Sequence, residues 1–148
     1  MLGYLPIYDS ASTLTAPDIV FVQAIQSIDS AVTLDPARPW HQFIDGLAAA
    51  GQFRAHHLSA VRRTYEEIRQ RVGRRLPLPV TQPTQEGAIQ LAWDDGARFV
   101  DVEVFADGTM HWYYRDRSRG QIDGTDDEPV RGVPVDLVAR LIELLGEG

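Results

Sequence analysis

The spacing of apolar residues changes once along the chain, and this change divides it into two halves. Up to about residue 75 the apolar positions recur every three or four residues, as on one face of an α-helix. From residue 88 they alternate with polar positions, as in half-buried strands. The pattern predicts an α+β fold in a single domain, 1–148. Its parts are a helical segment at 15–75, a proline-rich connector at 76–87, and a β-meander with a C-terminal helix at 88–148.

Three helices are predicted in the first half. Thr15 to Asp18 has a capping residue, an early proline and an acid, and the residues after it are apolar on several sides. This first helix should be buried in the core or against a second copy of the chain. A short second helix around Trp40 ends at Gly51. The third is predicted from about Ala55 to Val72, and its core stripe is Leu58, Val61, Tyr65, Ile68 and Val72.

Two Asp-Gly pairs divide the second half into a three-stranded antiparallel meander, with a fourth edge strand near Ile122 as an open alternative. A two-residue turn at Asp95-Gly96 predicts that Leu91 pairs with Val100. A three-residue loop ending at Gly108 pairs Val102 with Trp112, whereas a two-residue loop would put polar groups into the core. The predicted inner face is Ile89, Leu91, Trp93, Val100, Val102, Val104, Met110, Trp112 and Tyr114. Residues 116–132 are predicted to form a mobile loop, and Pro134 to open the last helix.

The outer face of this meander carries the candidate site. In the predicted register Glu103 lies opposite His111, and a carboxylate beside an imidazole and an arginine can perform acid–base chemistry. A small hydrolase or nuclease using Glu103, His111 and Arg115 is therefore one hypothesis. However, polar alternation is typical of any sheet with one wet face, and tyrosine next to arginine is common at binding hot spots. We favour a protein-binding face without a catalytic residue, formed by Phe99, Asp101, Glu103, His111, Tyr113 and Arg115.

Charge adds a third hypothesis. All fourteen basic residues are arginine, and residues 51–85 carry seven arginines against two glutamates, between two acidic ends. The second and third helices resemble a helix-turn-helix in outline, so a DNA-binding regulator could contact phosphates through Arg62, Arg63, Arg69, Arg74 and Arg75. We favour this hypothesis less, because these arginines lie beyond the start of the third helix, where base edges are usually contacted, and the chain has a net charge of −7.

Metal and cofactor chemistry is not predicted. The chain contains no cysteine, which excludes disulfides and thiolate ligands. His56 and His57 would point about 100° apart on a helix, and the acidic run at 123–128 lacks the spacing of an EF-hand loop. No apolar run is long enough for a membrane span, and the first residues lack a basic signal-peptide region. We therefore expect a cytoplasmic protein without a membrane partner.

The segment 76–116 resembles a recurrent pattern in small uncharacterised bacterial proteins, written PT..GgiqLeW followed by a DG hairpin. The matching positions are Pro83, Thr84, Gly87, Ile89, Gln90, Leu91, Trp93, Glu103, Asp107 and Gly108. Such proteins often lie near mobile-element or toxin–antitoxin-like genes, and the pattern carries no catalytic residue. The resemblance implies an antitoxin-like or accessory protein that binds another protein, such as a toxin or the product of a neighbouring gene. The binding surfaces would be the outer sheet face and the acidic segment 123–128, and a homodimer remains an alternative.

Overall fold

The computed structural model describes residues 36–73, 76–125 and 127–146. Within them lie three helices, α1 (Arg38–Ala50), α2 (Ala55–Val72) and α3 (Val135–Leu144). Six strands lie between α2 and α3: β1 (Val80–Pro83), β2 (Ile89–Asp94), β3 (Arg98–Val104), β4 (Thr109–Asp116), β5 (Gln121–Gly124) and β6 (Val130–Arg131). None of the described helices is long and apolar enough to cross a membrane.

The fold is α+β, but the expected three-stranded meander is wrong, because the sheet has six antiparallel strands. The predicted meander, β2 to β4, is the centre of a sheet ordered β1-β2-β3-β4-β5, with β6 also paired to β4. β1 lies inside the predicted connector. Proline lacks an N–H donor but is tolerated on an edge strand, and Pro83 ends β1 there. β5 and β6 lie inside the predicted mobile loop, and β5 is the edge strand considered near Ile122.

The described helices agree with the sequence analysis in position. α1 ends at Gly51, whose φ of 75° is left-handed, and α2 has the predicted bounds and a fully buried core stripe. α3 follows Pro134 as expected, but Val135, predicted to belong to its apolar stripe, is 69% exposed, and Leu137 is buried instead. The predicted first helix falls outside the described residues.

The β3–β4 register is confirmed, with Val102 opposite Trp112 and Glu103 opposite His111. The β2–β3 register is wrong by two residues, since Leu91 pairs with Val102. The turn lies at Gly96-Ala97, where Gly96 has a φ of 94° and the Asp95 carboxylate accepts the Arg98 N–H at 2.6 Å. Because side chains alternate with a period of two, the shift leaves every side chain on its predicted face.

The helices and the inner face of the sheet enclose one core, which contains all nine predicted inner-face residues. Long-range hydrogen bonds join the helices to the sheet, among them one from α1 and one from α2. The Trp40 indole N–H donates to the Thr81 hydroxyl at 2.8 Å, and buried His57 donates through Nε2 to the Val104 carbonyl, also at 2.8 Å. The outer face lies opposite this core, with no described helix packed over it.

Candidate functional site

The outer face brings together all six residues that the sequence analysis placed on it. The β3–β4 register sets Phe99 opposite Arg115, Asp101 opposite Tyr113 and Glu103 opposite His111. Arg115 is exposed, and the other five are half-buried. The face therefore combines aromatic, acidic and basic side chains.

A chain of hydrogen bonds crosses three strands of this face. The Gln82 side-chain amide donates to Gln90 at 2.9 Å, and the Gln90 amide donates to the Asp101 carboxylate at 2.8 Å. Burial raises the pKa of Asp101 to about 6 against the opposing effect of the Gln90 hydrogen bond, and the nearby Glu103 charge raises it further. The centre of the face thus holds a carboxyl group whose pKa, about 6, is closer to neutrality than that of an ordinary aspartate.

Glu103 and His111 are neighbours, yet the geometry does not assemble the predicted catalytic trio. His111 is engaged by other groups, since its Nδ1 lies 3.0 Å from the Thr125 hydroxyl and its ring packs edge-on against Phe105. Arg115 is four residues further along β4, which corresponds to about 13 Å at ~3.3 Å per residue. An arginine at that distance cannot stabilise an anion formed beside the imidazole.

The outer face ends in an apolar and cationic group of side chains, which we call the outer patch: Phe99, Tyr113, Arg115 and Ile122. Ile122 on β5 pairs with Arg115 and is 63% exposed. The Phe99 and Tyr113 rings lie 6.3 Å apart. No acidic partner of Arg115 is found among the described residues. The nearby Arg117 differs, because it pairs with Asp94 at 2.9 Å.

The arginines of α2 that were candidates for phosphate contact are mostly occupied within the fold. Arg62 bonds to Asp45 and to His41 Nδ1, and Arg69 bonds to Glu66 at 2.8 Å. Arg63 is exposed, while Arg74 and Arg75 fall outside the described residues. Pairing between basic and acidic side chains within the chain therefore accounts for Arg62 and Arg69.

These contacts belong to a polar network between α1 and α2 that the sequence analysis missed. His41 Nε2 lies 3.0 Å from Glu66, and Arg62 Nη1 lies 2.7 Å from His41 Nδ1. Burial alone would raise the pKa of Glu66, but hydrogen bonds from Arg69 and His41 hold it below its ordinary value. The partners are separated by 21 and 25 residues, so nothing local in the sequence signals the network. It joins α1 to α2 through their side chains.

A cavity of about 600 Å³ opens at the sheet edge, which we call the edge cavity. β5 and β6 both pair with β4, and the chain leaves this edge between Gly124 and Val130. Glu103, His111 and Arg115 do not line the cavity. The residues that matter for its chemistry are Trp112, Asp123, Asp127, Glu128, Val130 and Asp136.

Metal ligation has no support within the described ranges. Among these residues no three histidine, aspartate or glutamate side chains are close enough together to hold an ion. His57 is buried, and its ring bonds to a backbone carbonyl and packs edge-on against Phe53. Its role is structural.

No protein-family model, no curated protein and no solved structure matches this chain.

Proposed function

We propose that this chain is a non-catalytic bacterial protein that binds another protein through the outer patch, as an antitoxin-like or accessory component. The same proposal includes a toxin or neighbouring gene product as partner, which the resemblance of segment 76–116 implies. It also includes the cytoplasm as compartment, which is an expectation from the sequence. The observation that carries the proposal is the exposure of Arg115 and the kind of side chains around it. This arginine is exposed, lacks an acidic partner within the described residues, and stands between Phe99 on one neighbouring strand and Ile122 on the other.

This combination suits contact with a protein. An arginine flanked by apolar side chains forms a strong, directional bond with a carboxylate once a partner excludes water from the pair. Arginine and tyrosine are enriched among residues that dominate binding energy, and exposed Ile122 adds apolar area beside them. The partner should therefore present an aspartate or glutamate side chain next to apolar residues.

The enzyme and DNA-binding hypotheses gain no comparable support. The hydrolase needs Arg115 near Glu103 and His111, and the strand separates them. The regulator needs free arginines on α2, and Arg62 and Arg69 already bond to acidic side chains.

The test compares two variants of the outer patch with a matched control. A partner captured from the native host is purified, and its affinity is measured for the parent chain, Arg115→Glu and Ile122→Ser. Removing a hot-spot side chain costs at least about 2 kcal/mol, so each variant should weaken binding at least ~30-fold. Arg119→Glu makes the same charge change at a 71% exposed arginine outside the patch and should have no effect.

Equal affinity in all three variants would refute the role of the outer patch. Sedimentation of the pure chain tests the homodimer. Self-association that Arg115→Glu abolishes would identify a second copy of the chain as the occupant of the patch.

A further inference from the structure

Asp101 lies beside the outer patch, where a protein bound to the patch would cover it. It pairs with Tyr113 across β3 and β4, and it is two residues from Phe99 on the same strand. Side chains two residues apart on a strand share one face, and both of these rings belong to the patch. A protein that covers the two rings therefore covers the Asp101 carboxyl group as well.

The hydrogen bonds to this carboxyl group come from a neutral side chain. The Gln82 amide donates to the Gln90 side-chain oxygen at 2.9 Å, which leaves the Gln90 amide nitrogen to donate to Asp101 at 2.8 Å. Within the described ranges, no basic side chain is paired with Asp101. The charged form of Asp101 is therefore stabilised by water above the open face rather than by an arginine or a histidine.

The charged groups around Asp101 do not supply that missing partner. Glu103 lies on the same strand and face, and its charge opposes ionisation of Asp101. His111 is opposite Glu103, and its Nδ1 lies 3.0 Å from the Thr125 hydroxyl. Arg115 is diagonal to Asp101 across the two strands, and the two form no ion pair. β1 and β2 contribute only neutral glutamines on this side.

We propose that protonation of Asp101 regulates the contact between the outer patch and its protein partner. The partner binds the chain in which this carboxyl group is neutral, and binding to the ionised chain takes up a proton. The physical reason is that removing water from an unpaired carboxylate costs more free energy than removing it from a carboxylic acid. This regulation rests on the function proposed for the outer patch.

The sign of the pH dependence follows from proton linkage. In the free chain burial already raises the pKa of Asp101 to about 6. Loss of water and a partner carboxylate beside Arg115 both raise this pKa further in the complex, so affinity is highest in acid and falls as pH rises through about 6. A further rise of about one unit makes binding about sixfold weaker at pH 7.5 than at pH 5.5. At pH 6.5 each complex formed takes up about half a proton.

Isothermal titration calorimetry measures both quantities. The probe is the purified partner from the capture experiment above, titrated into the parent chain and into Asp101→Asn at pH 5.5 and 7.5. At pH 6.5, buffers with different ionisation enthalpies give the number of protons taken up. Titrating groups of the partner affect both chains equally, so the difference between the chains reports Asp101. Asp101→Asn should lose the sixfold change and bind at pH 7.5 about as tightly as the parent chain does at pH 5.5.

Two control variants accompany the measurement. Glu86→Gln removes an exposed acid on the β1–β2 turn, away from the patch, and should keep the pH dependence of the parent chain. His111→Gln removes the other group on this face that gains charge in acid, and it should keep the pH dependence too. If His111→Gln abolished the pH dependence and Asp101→Asn kept it, the imidazole would be the regulating group and the proposal would be overturned.

Two further results would overturn it. One is the same pH dependence in Asp101→Asn and in the parent chain. The other is an affinity of the parent chain that rises with pH, because the partner would then supply a basic group to Asp101. In either case the function proposed for the outer patch stands as long as Arg115→Glu weakens binding. If Arg115→Glu has no effect at either pH, the proposed function fails and this regulation fails with it.

Discussion

Replacing Asp101 with asparagine should stabilise the protein at neutral pH and leave it unchanged in acid. The side chain is half-buried, and burial raises its pKa from 3.8 to about 6. Asparagine has the same shape, carries no charge and still offers an oxygen to the Gln90 amide. The substitution therefore removes the cost of holding a charge on the outer face and keeps the local hydrogen bond.

The sign and size of this difference in the free energy of unfolding follow from proton linkage. Below about pH 3 the carboxyl group is protonated in both the folded and the unfolded chain, so it makes no difference to stability. Between pH 4 and 6 the unfolded chain loses the proton while the folded chain keeps it, so the free energy of unfolding falls as pH rises. A shift of this size corresponds to about 3 kcal/mol, and solvent screening of a half-buried group reduces it to about 2 kcal/mol.

Urea unfolding followed by tryptophan fluorescence, repeated from pH 4 to 8, measures this difference. The advantage of Asp101→Asn over the parent chain should be smallest at pH 4 and should reach about 2 kcal/mol above pH 7. Asp94→Asn is a control of opposite sign, because the Arg117 hydrogen bond lowers the pKa of Asp94 and the carboxylate stabilises the fold near neutral pH. If Asp101→Asn were less stable than the parent at pH 7.5, with the same pH slope, the assignment of a buried carboxylate would be wrong.

Two further predictions concern backbone contacts. Gly124→Ala should lower the free energy of unfolding by at least about 2 kcal/mol, since an added Cβ would lie 2.4 Å from the Trp112 carbonyl oxygen at a φ of 145°. Gly73→Ala, at a φ of 69° with open space around it, should cost only about 1 kcal/mol, and equal losses in the two variants would contradict the clash. His57→Ala should cost about 2–3 kcal/mol by leaving the buried Val104 carbonyl without its donor. Urea unfolding measures all three variants, and a cost below 0.5 kcal/mol for His57→Ala would show that the bond is dispensable.

The sequence predicted the faces of the central strands better than the extent of the sheet. Two sequence signals were sufficient for β3 and β4, namely the alternation of their side chains and the glycine of the second turn. From these signals the pairing of Val102 with Trp112 and the outward position of His111 could be predicted. The first turn differs from the prediction because Asp95 lies before the loop and caps it with its side chain, so the two loop residues are Gly96 and Ala97. A two-residue error of this kind changes the pairing but preserves the face.

The missing strands and the edge cavity depend on non-local contacts. β1 is short and rich in proline, and β6 has only two residues, so neither produces a readable alternation. The position of Asp123, Asp127 and Glu128 near Trp112 requires β5 and β6 to share one edge of β4. The six residues predicted for the outer face do share that face, because they lie on regular strands. The His41–Glu66 contact was missed because it joins two separate helices.

The interrupted edge of the sheet affects how the chain can associate with itself. An intact outer strand offers a row of free backbone donors and acceptors to which another copy could add. Here that margin consists of four-residue β5 and two-residue β6 with an acidic break between them, and the opposite margin, β1, ends in proline. Neither edge of the sheet offers a long strand to which a strand of another chain could pair. Growth into ribbons or fibrils through these edges is therefore discouraged, and any dimer should form through side chains.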